Sequence, residues 1–129
     1  LKFVYNGDLP NQVFDSQGRK LTFAFSGDKK VRQISGVNMT AKYRFNGENL
    51  TAVTNAWQNT YSYTYDANHN LTRISFPDGT YKSIAYNEVK DWVREFKDRD
   101  LCVEAYDFTL STENPKDHYW STAVRTCKE

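Results

Sequence analysis

The chain has 129 residues, enough for one domain with a core and little to spare for a second. Aromatic residues make up 16 %, Met occurs once and Pro three times, a composition that favours strands over helices. The 17 basic and 16 acidic residues leave a net charge of +1 with no basic stripe along the chain, which argues against a nucleic-acid partner, and no apolar run approaches the roughly 20 residues that cross a bilayer.

Leu1, Phe3 and Tyr5 alternate with Lys2 and Val4, so the chain opens as a strand with one apolar face. Asn6-Gly7-Asp8 supplies the positive φ that a tight hairpin needs, and Val13-Phe14 carries the return. Asp15-Ser-Gln-Gly18 turns the chain again, Leu21, Phe23 and Phe25 repeat the inward row, and Ser26-Gly27-Asp28 is the next turn. Val31 to Ile34 returns, Ser35-Gly36-Val37-Asn38 turns, and Met39, Ala41, Tyr43 and Phe45 point inward while Lys42 and Arg44 face outward. Asn46-Gly47-Glu48-Asn49 is a third hairpin turn, Leu50 to Thr54 its return, and Asn55 to Asn59 a longer connection. Tyr61, Tyr63 and Tyr65 then share one face, with Ser62 and Thr64 on the other. A turn rich in Asp and Asn, a β-prone run from Leu71 and the turn Pro77-Asp78-Gly79 lead to the run ending at Tyr86.

Asn87 to Asp91 is a turn without glycine, and Lys97 to Asp100 a charged one. Trp92 to Phe96 between them resembles a helix start when taken alone, but the aromatic register on both sides makes it a strand. Leu101, Val103 and Ala105 alternate with Cys102, Glu104 and Tyr106, so the inward row shifts here by one position. A one-residue shift exchanges the faces, and a bulge is expected to absorb it. From Thr109 the pattern is lost: residues 111–117 read as a loop and His118 to Val124 as a last β-prone run.

The aromatic before each polar turn recurs as Tyr5, Phe25, Phe45, Tyr65, Tyr86 and Tyr106, at intervals of 20, 20, 20, 21 and 20 residues. Phe3, Phe23, Tyr43, Tyr63, Ile84 and Glu104 precede them by two, and all but Glu104 are apolar. Side chains two apart lie on one face of a strand, so the chain reads as a repeat of β-hairpins. The expected fold is all-β: an antiparallel array of about five successive hairpins of 20-residue repeats, forming a curved open sheet or partial shell. Residues 1–108 are the repeats and 109–129 a C-terminal cap or junction.

The units Tyr65-Asp66-Ala-Asn-His-Asn70-Leu71-Thr72, Pro77-Asp78-Gly79-Thr80 and Gly18-Arg19-Lys20-Leu21-Thr22-Phe23 resemble the YD-repeat (RHS-repeat) family. Asn6, Ser26, Asn46 and Asn87 stand where the namesake Asp is expected, and Tyr106-Asp107 restores the dipeptide. The resemblance implies a non-catalytic structural or encapsulating segment of a secreted, periplasmic or cell-surface protein, a toxin-associated scaffold whose longer relatives spiral around a cargo. It implies as partners the remaining parts of a longer polypeptide, or a self-associated copy. The family's self-cleaving aspartyl-protease segment has no counterpart here. The chain begins at Leu1 without a charged-then-apolar leader, and so reads as a mature, processed or excised piece.

Site chemistry is sparse. Asp66-x-Asn68-x-Asn70 has the spacing that opens a calcium loop but lacks the bidentate Glu expected further on, so a hairpin turn explains it better and no metal or other cofactor is expected. Asp66 and Asp78 read as turn formers, and His69 and His118 have no partner at ligand or nucleophile spacing, so no catalytic residue is assigned. Asn38-Met-Thr40, Asn49-Leu-Thr51 and Asn70-Leu-Thr72 fit the glycosylation pattern, yet two of them are the repeat's own turn-and-strand signature. Cys102 and Cys127 fit neither a zinc spacing nor a Cys-x-x-Cys pair; they form one disulfide or remain two separate thiols. The alternative function is recognition: Trp57, Trp92 and Trp120 are the residues expected to carry a glycan- or protein-binding platform.

Overall fold

The computed structural model describes residues 1–110 and 119–127. Every regular element among them is a strand: β1 Lys2–Asn6, β2 Leu9–Phe14, β3 Lys20–Phe25, β4 Val31–Gly36, β5 Met39–Asn46, β6 Asn49–Thr54, β7 Thr60–Tyr65, β8 Leu71–Ser75, β9 Tyr81–Tyr86, β10 Val93–Lys97, β11 Val103–Leu110 and β12 Tyr119–Thr126. Each strand is hydrogen-bonded to its neighbours in sequence order, an antiparallel array of successive hairpins. There are six hairpins rather than about five, because β12 pairs with β11 along eight residues. Of the segment Trp92 to Phe96, Val93 to Phe96 is strand, held within β10 between β9 and β11, and Trp92 immediately precedes it. The expected boundary at residue 108 falls inside β11, and His118 with the loop 111–117 lies outside the described residues.

The chain divides into two compact units, Leu1–Ser62 and Tyr63–Glu129. In both, one device closes several of the turns between strands. A residue X donates its amide to the carbonyl of X+4 and accepts from the amide of X+3, and X+3 takes a left-handed conformation. This happens at Asp15, Ser26, Asn55, Asp66, Phe76 and Asp98, with Gly18, Lys29, Gln58, His69, Gly79 and Leu101 at φ between 61° and 83°. Asn87 does the same over one extra residue, with Asp91 at φ 53°. An Asp or Asn at X can therefore accept from the amides of X+2 and X+4 with its own side chain. Asp15, Asn55, Asp66 and Asp98 all do so, at 2.9 to 3.0 Å. That is the physical role of the Asp in Tyr65-Asp66. Tyr106-Asp107 breaks the rule: both residues lie inside β11, where no turn follows.

A second device explains the apolar residues of the return strands, which are spaced by three rather than two. Opposite Tyr5, Phe25, Phe45 and Tyr86 the register shifts. Tyr5 faces Pro10 while Val4 faces Gln12, Phe25 faces Val31 while Ala24 faces Gln33, and Phe45 faces Leu50 while Arg44 faces Ala52. In β10, likewise, Val93 faces Tyr86 while Glu95 faces Ala85. Asn11, Arg32, Thr51 and Arg94 are thus β-bulge residues, and each lets two apolar side chains three apart in sequence share one face. The expected slip near residue 104 does not occur. Phe96 pairs with both Ile84 and Glu104, so Glu104 and Tyr106 stay on the face of Ile84.

Candidate functional site

In the unit Leu1–Ser62 the pairing sorts the side chains onto two faces. Phe3, Val13 and Leu21 are opposite one another, as are Phe23, Ile34 and Ala41, and Tyr43, Val53 and Tyr61. With Tyr5, Phe25, Phe45 and Leu50 they make an apolar face, on which the one charged strand residue in ring contact is the bulge residue Arg32, its guanidinium 5.2 Å from the Phe45 ring. No second layer of chain lies on it among the described residues. Its members are half-buried or exposed: Phe3 is 51 % and Tyr5 59 % accessible, and among the described residues only Ala52 and Cys102 are buried apolar residues. Within this unit Tyr5, Phe25 and Phe45 thus lie on one side, but in no covered core. Five of the anchors (Phe25, Phe45, Tyr65, Tyr86, Tyr106) are half-buried by in-plane neighbours. At one end of this face Leu1, Val13, Leu21, Val37 and Met39 line a groove of about 310 Å³.

The unit Tyr63–Glu129 carries an equivalent patch. Ile84, Val93, Phe96, Tyr106 and Phe108 line an apolar hollow of about 340 Å³. Glu104 sits on this face because two groups satisfy it: the Tyr106 hydroxyl donates to Oε2 at 2.6 Å and Arg125 Nη1 lies 3.2 Å from Oε1. The bond to Glu104 raises the Tyr106 pKa, and burial raises that of Tyr86, whose hydroxyl donates to the Leu71 carbonyl at 3.0 Å.

The titratable groups with shifted pKa values otherwise stand in the turns. The Ser26 hydroxyl, followed by Lys30, lowers Asp28 to about 2. The Arg19 guanidinium lowers Asp15, and the Thr80 hydroxyl and amide lower Asp78. Desolvation pushes Asp66 up, but the amide and side chain of Asn70 and the amide of Asn68 outweigh it, and the net shift is downward. A carboxylate held ionised by turn amides is a poor proton donor near neutral pH, and a tyrosine pushed upward is a poor nucleophile. These groups do structural work instead, within their own turns and, at three places, between one turn and the next on the same edge. Lys30 Nζ bridges Asp28 at 3.0 Å and Glu48 at 2.9 Å. Asn68 and Asn70 donate to Asp91 at 3.3 and 3.0 Å, and Arg99 reaches Asp78 and, at 2.9 Å, the Thr80 hydroxyl. Among the described residues no three His, Cys, Asp or Glu side chains gather to hold a metal ion.

The three tryptophans occupy different elements. Trp57 sits in the Asn55 turn with 80 % of its surface exposed, and Trp120 in β12 with 76 % exposed. Trp92 is half-buried, edge-on to Phe108 at 5.0 Å, with the Lys90 ammonium 5.8 Å from its ring. Cys102 and Cys127 are bonded to each other, 2.04 Å apart, and join the Asp98 turn to the end of β12. Reading the sequence alone missed the bulges and the links between turns. The signal for the bulges was present in the apolar pairs spaced by three, Pro10/Val13, Val31/Ile34, Leu50/Val53 and Val93/Phe96.

Comparison with known proteins places the hairpin unit. Residues 46–81 match the RHS Repeat family model. Over 99 residues, 72 % of this chain, it is 28 % identical to a protein named tRNA(Glu)-specific nuclease WapA from Bacillus subtilis subsp. natto. It is 28 % identical to tRNA3(Ser)-specific nuclease WapA from Bacillus spizizenii and 32 % identical to tRNA nuclease WapA from Bacillus subtilis strain 168, again over 99 residues. The chain spans 4 % of the length of these curated relatives.

Proposed function

We propose, on the premise that this chain is a run of RHS repeats, that it is a non-catalytic structural segment of a secreted or cell-surface protein. Its apolar face forms part of an inner lining around a cargo or another part of the same polypeptide. The observation that carries this reading is the apolar face of Leu1–Ser62, built by alternation and bulges and left without a second layer among the described residues. Area supports it. Two separate compact units of about 7.5 kDa would together expose roughly 8,500 Å². This chain exposes 9752 Å². Apolar surface that has no cover within the segment is stabilised by a cover supplied from outside it.

The test is hydroxyl-radical footprinting of the segment alone and within its parent polypeptide. Phe23, Tyr43 and Tyr61 should react in the isolated segment and be protected in the parent. Equal reactivity in both would remove the lining role. The relatives named as tRNA nucleases make a second assay necessary: the segment alone, incubated with tRNA, should leave it intact, and cleavage would overturn the non-catalytic reading. A second reading, binding of a glycan or a protein, draws support from Trp57 and Trp120, whose rings stand open to solvent. Quenching of their fluorescence by a glycan panel, lost in a Trp57→Ala, Trp120→Ala variant, is its test.

A further inference from the structure

The other face of Leu1–Ser62 is as one-sided in charge as the first is in hydrophobicity. Lys2 and Lys20 flank Phe14 across β1, β2 and β3, and Lys42 and Arg44 follow one another along β5. Their neighbours on this face are Gln12, Thr22, Ser35, Gln33, Thr54 and Thr60. No strand of this unit contains an acid; Asp8, Asp15, Asp28 and Glu48 all lie in turns. The unit holds eight Lys and Arg against those four acids, a formal excess of four that the near-neutral whole chain conceals. Averaging along the sequence hides the stripe because it runs across strands.

Of the other four cations, Arg19 is engaged with Asp15, and Lys30 and Arg32 with Asp28, while Lys29 stands in the Ser26 turn away from the strands. Lys2, Lys20, Lys42 and Arg44 are exposed and have no carboxylate partner among the described residues. Ala24, Gln33, Lys42, Arg44, Ala52 and Thr54 line a shallow trough of about 550 Å³ beside them.

We propose that this cationic face docks a single-stranded RNA, with Lys42 and Arg44 as the principal phosphate contacts, Lys2 and Lys20 extending the track, and Phe14 offering a ring for a base. Uncompensated cations that follow a backbone, interleaved with hydroxyl donors and an aromatic, suit a phosphodiester chain. A flat sheet face has no projecting element to enter a duplex groove. An acidic peptide shares the charge but has no use for the ring between two lysines. The inference goes beyond the structural reading above and is independent of it, since it concerns the opposite face.

The experiment is fluorescence anisotropy of a labelled 12-nucleotide RNA with the full chain, from 50 to 200 mM salt. Four phosphate contacts on a single strand give a slope of log K against log salt of about −2.8, roughly a 50-fold loss over that range. Lys42→Gln with Arg44→Gln should halve the slope to about −1.4, roughly a 7-fold loss. Both side chains are exposed, and an unchanged far-ultraviolet spectrum checks the fold of the variant. A variant that binds like the parent chain, absence of binding at 50 mM salt, or polyglutamate that competes as well as RNA would each overturn the proposal, the last in favour of an acidic protein partner.

Discussion

The Cys102–Cys127 bond is the part of the molecule whose removal has the most calculable effect. Residues 120–126 of β12 are exposed on both faces, with Trp120 76 % and Val124 61 % accessible, so the strand has little side-chain packing to hold it. Its ion pairs, Arg125 with Asp98 and Glu104, involve a guanidinium 55 % exposed, a class of pair that contributes at most about 1 kcal/mol. The backbone ladder with β11 and the disulfide remain. The disulfide closes a loop with a sequence separation of 25. On the chain-entropy account, such a loop stabilises by about 3.5 kcal/mol, close to 400-fold in the folding equilibrium. Cys127→Ser opens the loop at the exposed sulfur and leaves Cys102, 7 % exposed, packed as a small apolar residue. Urea unfolding should be followed by tryptophan fluorescence in a Trp57→Phe background, so that only Trp92 and Trp120 of the second unit report. The Cys127→Ser variant should lose about 3 to 4 kcal/mol, and hydrogen exchange at the β11 amides facing β12 should accelerate first. A loss below about 1 kcal/mol, or an equal loss reported by Trp57 in a companion Cys127→Ser protein that keeps Trp57 and carries Phe at positions 92 and 120, would refute the argument that the bond holds the last hairpin.

Three further outcomes follow from the turns and the faces. Asp28 has its pKa lowered from 3.8 to about 2 in the folded chain. The sign is that of a depressed acid: its contribution is complete above pH 3.8 and lost as pH falls toward 2, so Asp28→Asn should flatten the acid limb of a thermal-melting profile between those values. Gln58 is left-handed at φ 65°, which costs a non-glycine residue about 1 kcal/mol. Gln58→Gly should therefore raise the unfolding midpoint slightly, whereas Gly79→Ala, at φ 83°, should lower it. Val53 lies between Tyr43 and Tyr61 on the apolar face, and Val53→Asp should destabilise the first unit by about 2 kcal/mol and weaken binding of a hydrophobic dye; stability within about 0.5 kcal/mol of the parent would show that the face contributes little.

How much of this was legible beforehand differs by feature. The period of about 20 residues, the alternation of Phe3, Phe23 and Tyr43 with polar neighbours, and the turn residues Gly7, Asp15 and Asp66 are local signals. Each acts within two to five residues, and together they determined the all-β hairpin array and the RHS-repeat likeness. Tertiary structure decided the rest. Bulges at Asn11, Arg32, Thr51 and Arg94 depend on which residue of the partner strand stands opposite, and only pairing kept Glu104 on the face of Ile84. The links from Lys30 to Glu48 and from Arg99 to Asp78, and the track from Lys2 to Arg44, join residues that sequence separates by 18 to 42 positions. Backbone propensity acts between neighbours along the chain, whereas charge and packing act through space. For that reason the strands and the alternation within each could be read from one line of letters, and which side chains and charges stand together across strands appeared only once those strands lay side by side.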